Sequence, residues 1–124
     1  MPYTHKSELY VRSKRFAVDV FRLVDGLPKT TSGRIIADQL ARSGSSQAAN
    51  YREARRSRSG REFISKIGIS LQEIDESSFR LEITEELFEK LADRVSPLIT
   101  EADELTAMFA ASLRTAKRNS SPGK

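Results

Sequence analysis

The sequence predicts an all-α protein folded as an antiparallel up-down-up-down four-helix bundle. Two observations lead there. Apolar residues recur at three-four spacing through almost the whole chain, and the first two breaks in that pattern fall at short clusters rich in glycine, proline, serine and threonine, the third at an acidic stretch. Little of the chain alternates with period two, so strands are not expected. The pattern places helices at about 7–25, 32–56, 60–83 and 92–117, each roughly 30 to 40 Å long at 1.5 Å per residue, and leaves 1–5 and 119–124 as disordered ends.

The first helix carries Leu9, Phe16, Val20, Leu23 and Leu27 on one stripe, with Phe21 and Val24 beside it. Gly26 is expected to take the left-handed position after its last turn, and Pro28 cannot continue a helix. Thr30, Thr31 and Ser32 then offer N-caps for the second helix, where Ile36, Leu40, Ser43 and Gln47 share a face. Ser43-Gly44-Ser45-Ser46 opposes helix on propensity, since glycine costs about 1 kcal/mol relative to alanine in a helix interior. The helix is nevertheless carried through to Arg56, because small residues there let a neighbouring helix approach closely.

The third helix is the most regular: Phe63, Ile67, Leu71, Ile74, Ser78 and Leu81 keep a heptad-like step. It opens on a capping box, Ser59-Gly60-Arg61-Glu62, in which the Ser59 hydroxyl accepts from the Glu62 N–H and the Glu62 carboxylate reaches back to the Ser59 N–H. An acidic stretch from Glu82 to Asp93 holds the next turn, with Thr84-Glu85-Glu86 as a further capping candidate. Pro97 suits a first helical turn, and Val95, Leu98, Ala102, Leu105, Phe109, Ser112 and Ala116 form the last stripe.

Composition bounds the function more by exclusion than by assertion. The 124 residues suffice for one domain with its own core. With no cysteine there is neither a disulfide framework nor a thiol nucleophile, and the single histidine, His5, lies outside the predicted bundle. A di-iron bundle would need Glu-x-x-His pairs on two helices, serine hydrolysis would need a histidine base in the body of the fold, and no phosphate loop is present. No enzyme, cofactor or metal is expected. No apolar run approaches the roughly 20 residues that span a bilayer, and the N-terminus lacks a signal-peptide core, so a soluble cytoplasmic protein with no membrane partner is expected.

Charge is uneven along the chain. Residues 1–62 hold 13 Lys/Arg against 6 Asp/Glu, while 63–96 hold 4 against 8, which allows one region to pair with the other within a chain or between copies. The basic excess peaks at Arg52, Arg55, Arg56, Arg58 and Arg61, where a helix end, a tight turn and a helix start gather the charges at one end of the molecule. Three readings stand open: a solvated helix end, a subunit interface with the acidic stretch, and contacts to nucleic-acid phosphates. The planar guanidinium fork suits the last. Only Tyr51 adjoins the cluster, so backbone contact is expected ahead of base stacking. A second group, Arg42, Asn50, Glu53 and Glu73, reads as a structural polar layer in which Arg42 pairs with Glu73 between the second and third helices, with a ligand site as the alternative.

The middle of the chain resembles a known family. Arg42-Ser43, Ala48-Ala49-Asn50, Glu53, Arg56-x-x-Ser59-x-x-Glu62-Phe63, Ile69-Ser70 and Leu71-x-Glu73 match, in order and spacing, the four-helix bundle proteins encoded in bacterial 23S ribosomal RNA intervening sequences. That family includes the accessory variability determinant proteins of diversity-generating retroelements. The resemblance covers about residues 9–118, with its specific motif confined to 42–74. It implies a four-helix bundle, assembly into a homopentamer and, for the retroelement members, binding of a reverse transcriptase and of RNA or DNA through basic surfaces. The expected function is therefore a non-catalytic oligomeric bundle that binds nucleic acid or assists a reverse transcriptase; the alternative is a structural or protein-binding oligomer with no nucleic-acid role.

Overall fold

A computed structural model describes residues 7–120 as four α-helices: α1 (Glu8–Val24), α2 (Thr31–Arg55), α3 (Gly60–Leu87) and α4 (Ala92–Asn119), with a 3-10 turn at Glu89–Leu91 before α4. Among the described residues there is no strand. His5 and the expected disordered segments lie outside these residues, apart from Asn119, which closes α4, and Ser120, its C-cap.

Cross-helix partners fix the topology. Ser43 meets Ser77, the Gln47 carbonyl meets Ser70, and Glu53 meets Lys66, so α2 and α3 run antiparallel. Ser7 meets Tyr51 and the Ser13 carbonyl meets Gln47, which runs α1 against α2. Arg12 meets Glu101 and Glu104, while Arg94 reaches the Arg22 carbonyl, so α4 runs against α1. α1 packs on α2 and α4, and α3 packs on the same two, which places α1 and α3 on a diagonal. The ends of α2 and α4 and the starts of α1 and α3 therefore share one end of the bundle.

The core is a column of fully buried side chains, among them Phe16, Leu23, Leu40, Ile67, Ile74, Leu81, Leu105 and Phe109. α2 stays intact through its glycine and serines for a packing reason. Gly44 is buried, and a Cβ placed there would lie 3.1 Å from both methyls of Val20, so its small size lets α1 approach. Of the serines around Gly44, Ser43 is turned into the bundle, while Ser45 donates to the Ala41 carbonyl of its own helix at 2.8 Å and Ser46 accepts from Asn50 at 3.0 Å. Ser77 donates to the Glu73 carbonyl at 3.0 Å, which leaves Ser43 as donor to the Ser77 Oγ at 2.7 Å.

Three local expectations are corrected. Gly26 is not left-handed; α1 ends on right-handed Asp25, and the missing side chain of Gly26 leaves room for the Arg94 guanidinium, 2.7 Å from where its Cβ would be. Thr84 does not cap a helix: it is buried within α3, its hydroxyl donating to the Arg80 carbonyl at 2.7 Å, and α3 runs on to Leu87. At the start of α3, Ser59 accepts from the Glu62 N–H at 3.1 Å as expected. The Glu62 carboxylate, however, accepts from the Arg58 N–H at 3.0 Å, because the Ser57–Ser59 turn carries that N–H toward the helix.

Candidate nucleic-acid interface

The arginines of the joint are held at the shared end of the bundle by the C-terminus of α2 and the capped start of α3. Arg52 and Arg55 lie in the last turn of α2, where positive charge opposes the negative end of the helix dipole; Arg56 is its C-cap. Arg58 and Arg61 flank the Ser59 cap. Arg52, Arg56, Arg58 and Arg61 are exposed and form no ion pair among the described residues. Arg55 differs: it is half-buried, its guanidinium carbon 5.2 Å above the ring centroid of Tyr10.

The fold adds cations that no local motif announced. A Cβ on Gly60 would lie 3.9 Å from the Cβ of Ser120, so the last turn of α4, with Lys117 and Arg118, abuts the start of α3. These residues are far away in sequence, and the readable signal was the topology, since an up-down-up-down bundle returns the fourth helix to the joint. On the α2 side of α1, Lys14 is exposed and has no ion pair among the described residues. The opposite flank is neutralised: Arg12 donates to both oxygens of Glu101 at 2.9 and 2.7 Å and to Glu104 and Glu8, and its pKa is pushed up, first by the Glu101 hydrogen bonds and then by Glu104. Lys66 is likewise held in its charged form by Glu53, 2.7 Å away.

Tyr51, the one aromatic expected beside the cluster, is a core residue. Its ring stands 5.5 Å from that of Phe109, tilted by 59°, and its hydroxyl lies 3.3 Å from the Ser7 Oγ. The aromatic that reaches the arginines is Tyr10, brought from α1.

The four residues expected to form a polar layer are not brought together. Arg42 is exposed and pairs with Asp38, one turn earlier on its own helix, at 3.4 Å. Asn50 donates to the carbonyl and hydroxyl of Ser46, both at 3.0 Å, and Glu53 is taken by Lys66. Glu73 is half-buried and makes no direct pair with Arg42; its pKa is raised by burial and by Glu76, against smaller opposing effects of Arg80 and Arg42. Beside the Ser43–Ser77 bond, buried polar contacts are made by Gln47, which donates to the carbonyls of Ser13 and Gly44 at 2.8 and 2.9 Å, and by Ser70, which donates to the Gln47 carbonyl at 2.9 Å. Gln47 Oε1 is buried with no hydrogen-bond partner among the described residues.

No group of three or more His, Cys, Asp or Glu among the described residues could hold a metal ion, and no described helix is long and apolar enough to cross a membrane. What the end of the bundle offers chemically is a set of guanidinium donors, of which Arg52, Arg56, Arg58 and Arg61 have no carboxylate partner among the described residues.

Residues 5–111 match the model of the 23S rRNA-intervening sequence protein family. A solved structure of a protein of unknown function from the S23 ribosomal protein family, from Bacteroides thetaiotaomicron, is 26% identical, with a TM-score of 0.78 over 85% of this chain and 97% of that one. No curated protein matches the chain.

Proposed function

The chain belongs to the 23S rRNA-intervening sequence protein family, and from that premise we propose that it is a non-catalytic, oligomeric bundle whose basic end contacts the phosphates of a nucleic acid. One observation carries the reading: Arg52, Arg56, Arg58 and Arg61 stand together in solvent without ion pairs among the described residues, while Arg12, Arg42 and Arg80 elsewhere are paired. An unneutralised arginine cluster gains most from a polyanion, whose condensed counterions are released on contact. The sequence resemblance supports the same assignment and adds a reverse transcriptase as protein partner; a cytoplasmic setting fits the composition.

Self-association is part of the proposal. The outward face of α3 leaves Phe79 (62% exposed), Ile83 (39%) and Leu87 (50%) in a cleft with Glu82 and Glu86. On the diagonal helix, Val11 and Val18 border another cleft with Lys14 and Arg15. An acidic apolar face and a basic apolar face on opposite sides of one subunit suit head-to-tail contacts that close into a ring. Five subunits in the ring is what the resemblance implies. The competing reading, an oligomer with no nucleic-acid role, draws on these same faces.

Fluorescence anisotropy with labelled mixed-sequence RNA and DNA separates the two. The triple variant Arg56→Ala, Arg58→Ala, Arg61→Ala is expected to bind roughly tenfold or more weakly than the wild type. A wild type that binds neither probe would leave the purely structural oligomer.

A further inference from the structure

Between α1 and α2, next to the basic end, lies a cleft of about 320 Å³ lined by Tyr10, Ser13, Lys14, Ala48, Ala49 and Arg52. We propose that this cleft is a binding site for an unpaired nucleobase of single-stranded nucleic acid, a reading that rests on the nucleic-acid function above and specifies the form of its ligand. Three properties support it.

The first is shape. Ala48 and Ala49 give the α2 wall almost no side-chain bulk, so the seam between the helices stays open beside Tyr10. The volume falls near the lower end of the range of about 300–1,000 Å³ typical of ligand clefts, enough for a base but not for a duplex. The second is chemistry. A tyrosine and two alanine methyls supply an apolar lining, while Lys14 on one wall and Arg52 on the other bring cationic groups to the rim, both exposed and without ion pairs among the described residues. Apolar and aromatic surface for the base, with cations for the flanking phosphates, is the arrangement that binds single strands with little sequence preference. The third is continuity. Arg55 packs over Tyr10 and is followed directly by Arg56 and the joint, so a strand leaving the cleft past Arg52 enters the arginine cluster. Across α1, Arg12 is saturated by Glu8, Glu101 and Glu104, which leaves the α2 side as the electropositive flank.

Two substitutions close the cleft without entering the core. Ala49→Glu places a carboxylate on its exposed floor, and Lys14→Glu reverses a charge at its rim. Each should leave the melting temperature of the full chain unchanged, and Ala49→Glu, which lies outside the faces proposed for self-association, should leave its light-scattering mass unchanged as well. Anisotropy is read with labelled oligouridylate and oligothymidylate of about twelve nucleotides and with a mixed duplex of equal length. Each variant is expected to lose roughly tenfold in single-strand affinity while duplex affinity moves by no more than about twofold. With 5-iodouridine in the strand, photocrosslinks are expected on peptides containing Tyr10 or residues 48–52. If both variants bind single strands as the wild type does, while Arg58→Ala, Arg61→Ala weakens all probes, the cleft is not the base site and the phosphate-binding end stands. If the wild type binds no probe, the functional reading fails, and this site with it.

Discussion

The guanidinium of Arg55 lies 5.2 Å over the ring of Tyr10, tying the last turn of α2 to the first turns of α1. Arg55 thus has a packing role that its exposed neighbours in the cluster lack. Replacing it by alanine should cost about 0.5–2 kcal/mol of stability, with lysine retaining part of the contact. Arg58→Ala should cost almost nothing in the same thermal melt. Equal losses for the two would mean that the ring contact contributes no stability.

Ile74 is fully buried, whereas Leu71, one turn earlier on the same stripe, is only partly buried against the core. Ile74→Ala should therefore cost about 2–5 kcal/mol and Leu71→Ala distinctly less. Denaturant melts of the two variants check the order, and the reverse order would put α3 in the wrong rotation.

Gly44 opposes Val20 at a distance that accepts little more than a hydrogen atom. Gly44→Leu should lose about 1–3 kcal/mol through overpacking, whereas in Gly44→Ala the crowding is offset by a gain of about 1 kcal/mol in helix propensity. A leucine variant as stable as the wild type would show that α1 and α2 are not held at this separation.

The helices were legible because each has one dominant apolar stripe and because Thr30 and Ser59 lie at N-caps, accepting from Gly33 and Glu62; the Ser7 cap of α1, which accepts from Tyr10, went unread. The end of α3 was less legible. Thr84 and the acids around it look like a helix start, but burial of Thr84 and its bond to the Arg80 carbonyl keep the helix going. The arginine cluster could be read directly, being contiguous in sequence. Its surroundings could not: Tyr10 lies 45 residues before Arg55, and only the packing of α1 on α2 joins them. Arg42 and Glu73 do not pair: the Arg42 guanidinium lies in solvent beside Asp38, one helical turn earlier on its own helix.

Glu73 titrates above its ordinary value because burial, and then Glu76, disfavour its charge. Between the unfolded and folded pKa values the native state binds more protons, so this group lowers stability as pH rises through that window. Glu73→Gln should accordingly raise the melting temperature at pH 7, and the gain should shrink as pH falls toward the unperturbed value of 4.5. A variant that is less stable than the wild type at pH 7 would show that the charged carboxylate is stabilised in the fold.

The salt dependence of binding to mixed-sequence nucleic acid tests the central claim most directly. Each phosphate neutralised on a duplex contributes about −0.9 to the slope of log affinity against log salt, so Arg58→Ala, Arg61→Ala should flatten the slope by up to about 2 units without changing which sequence is preferred. Equal affinities and equal slopes for wild type and variant would contradict the account and return these arginines to a solvated helix end.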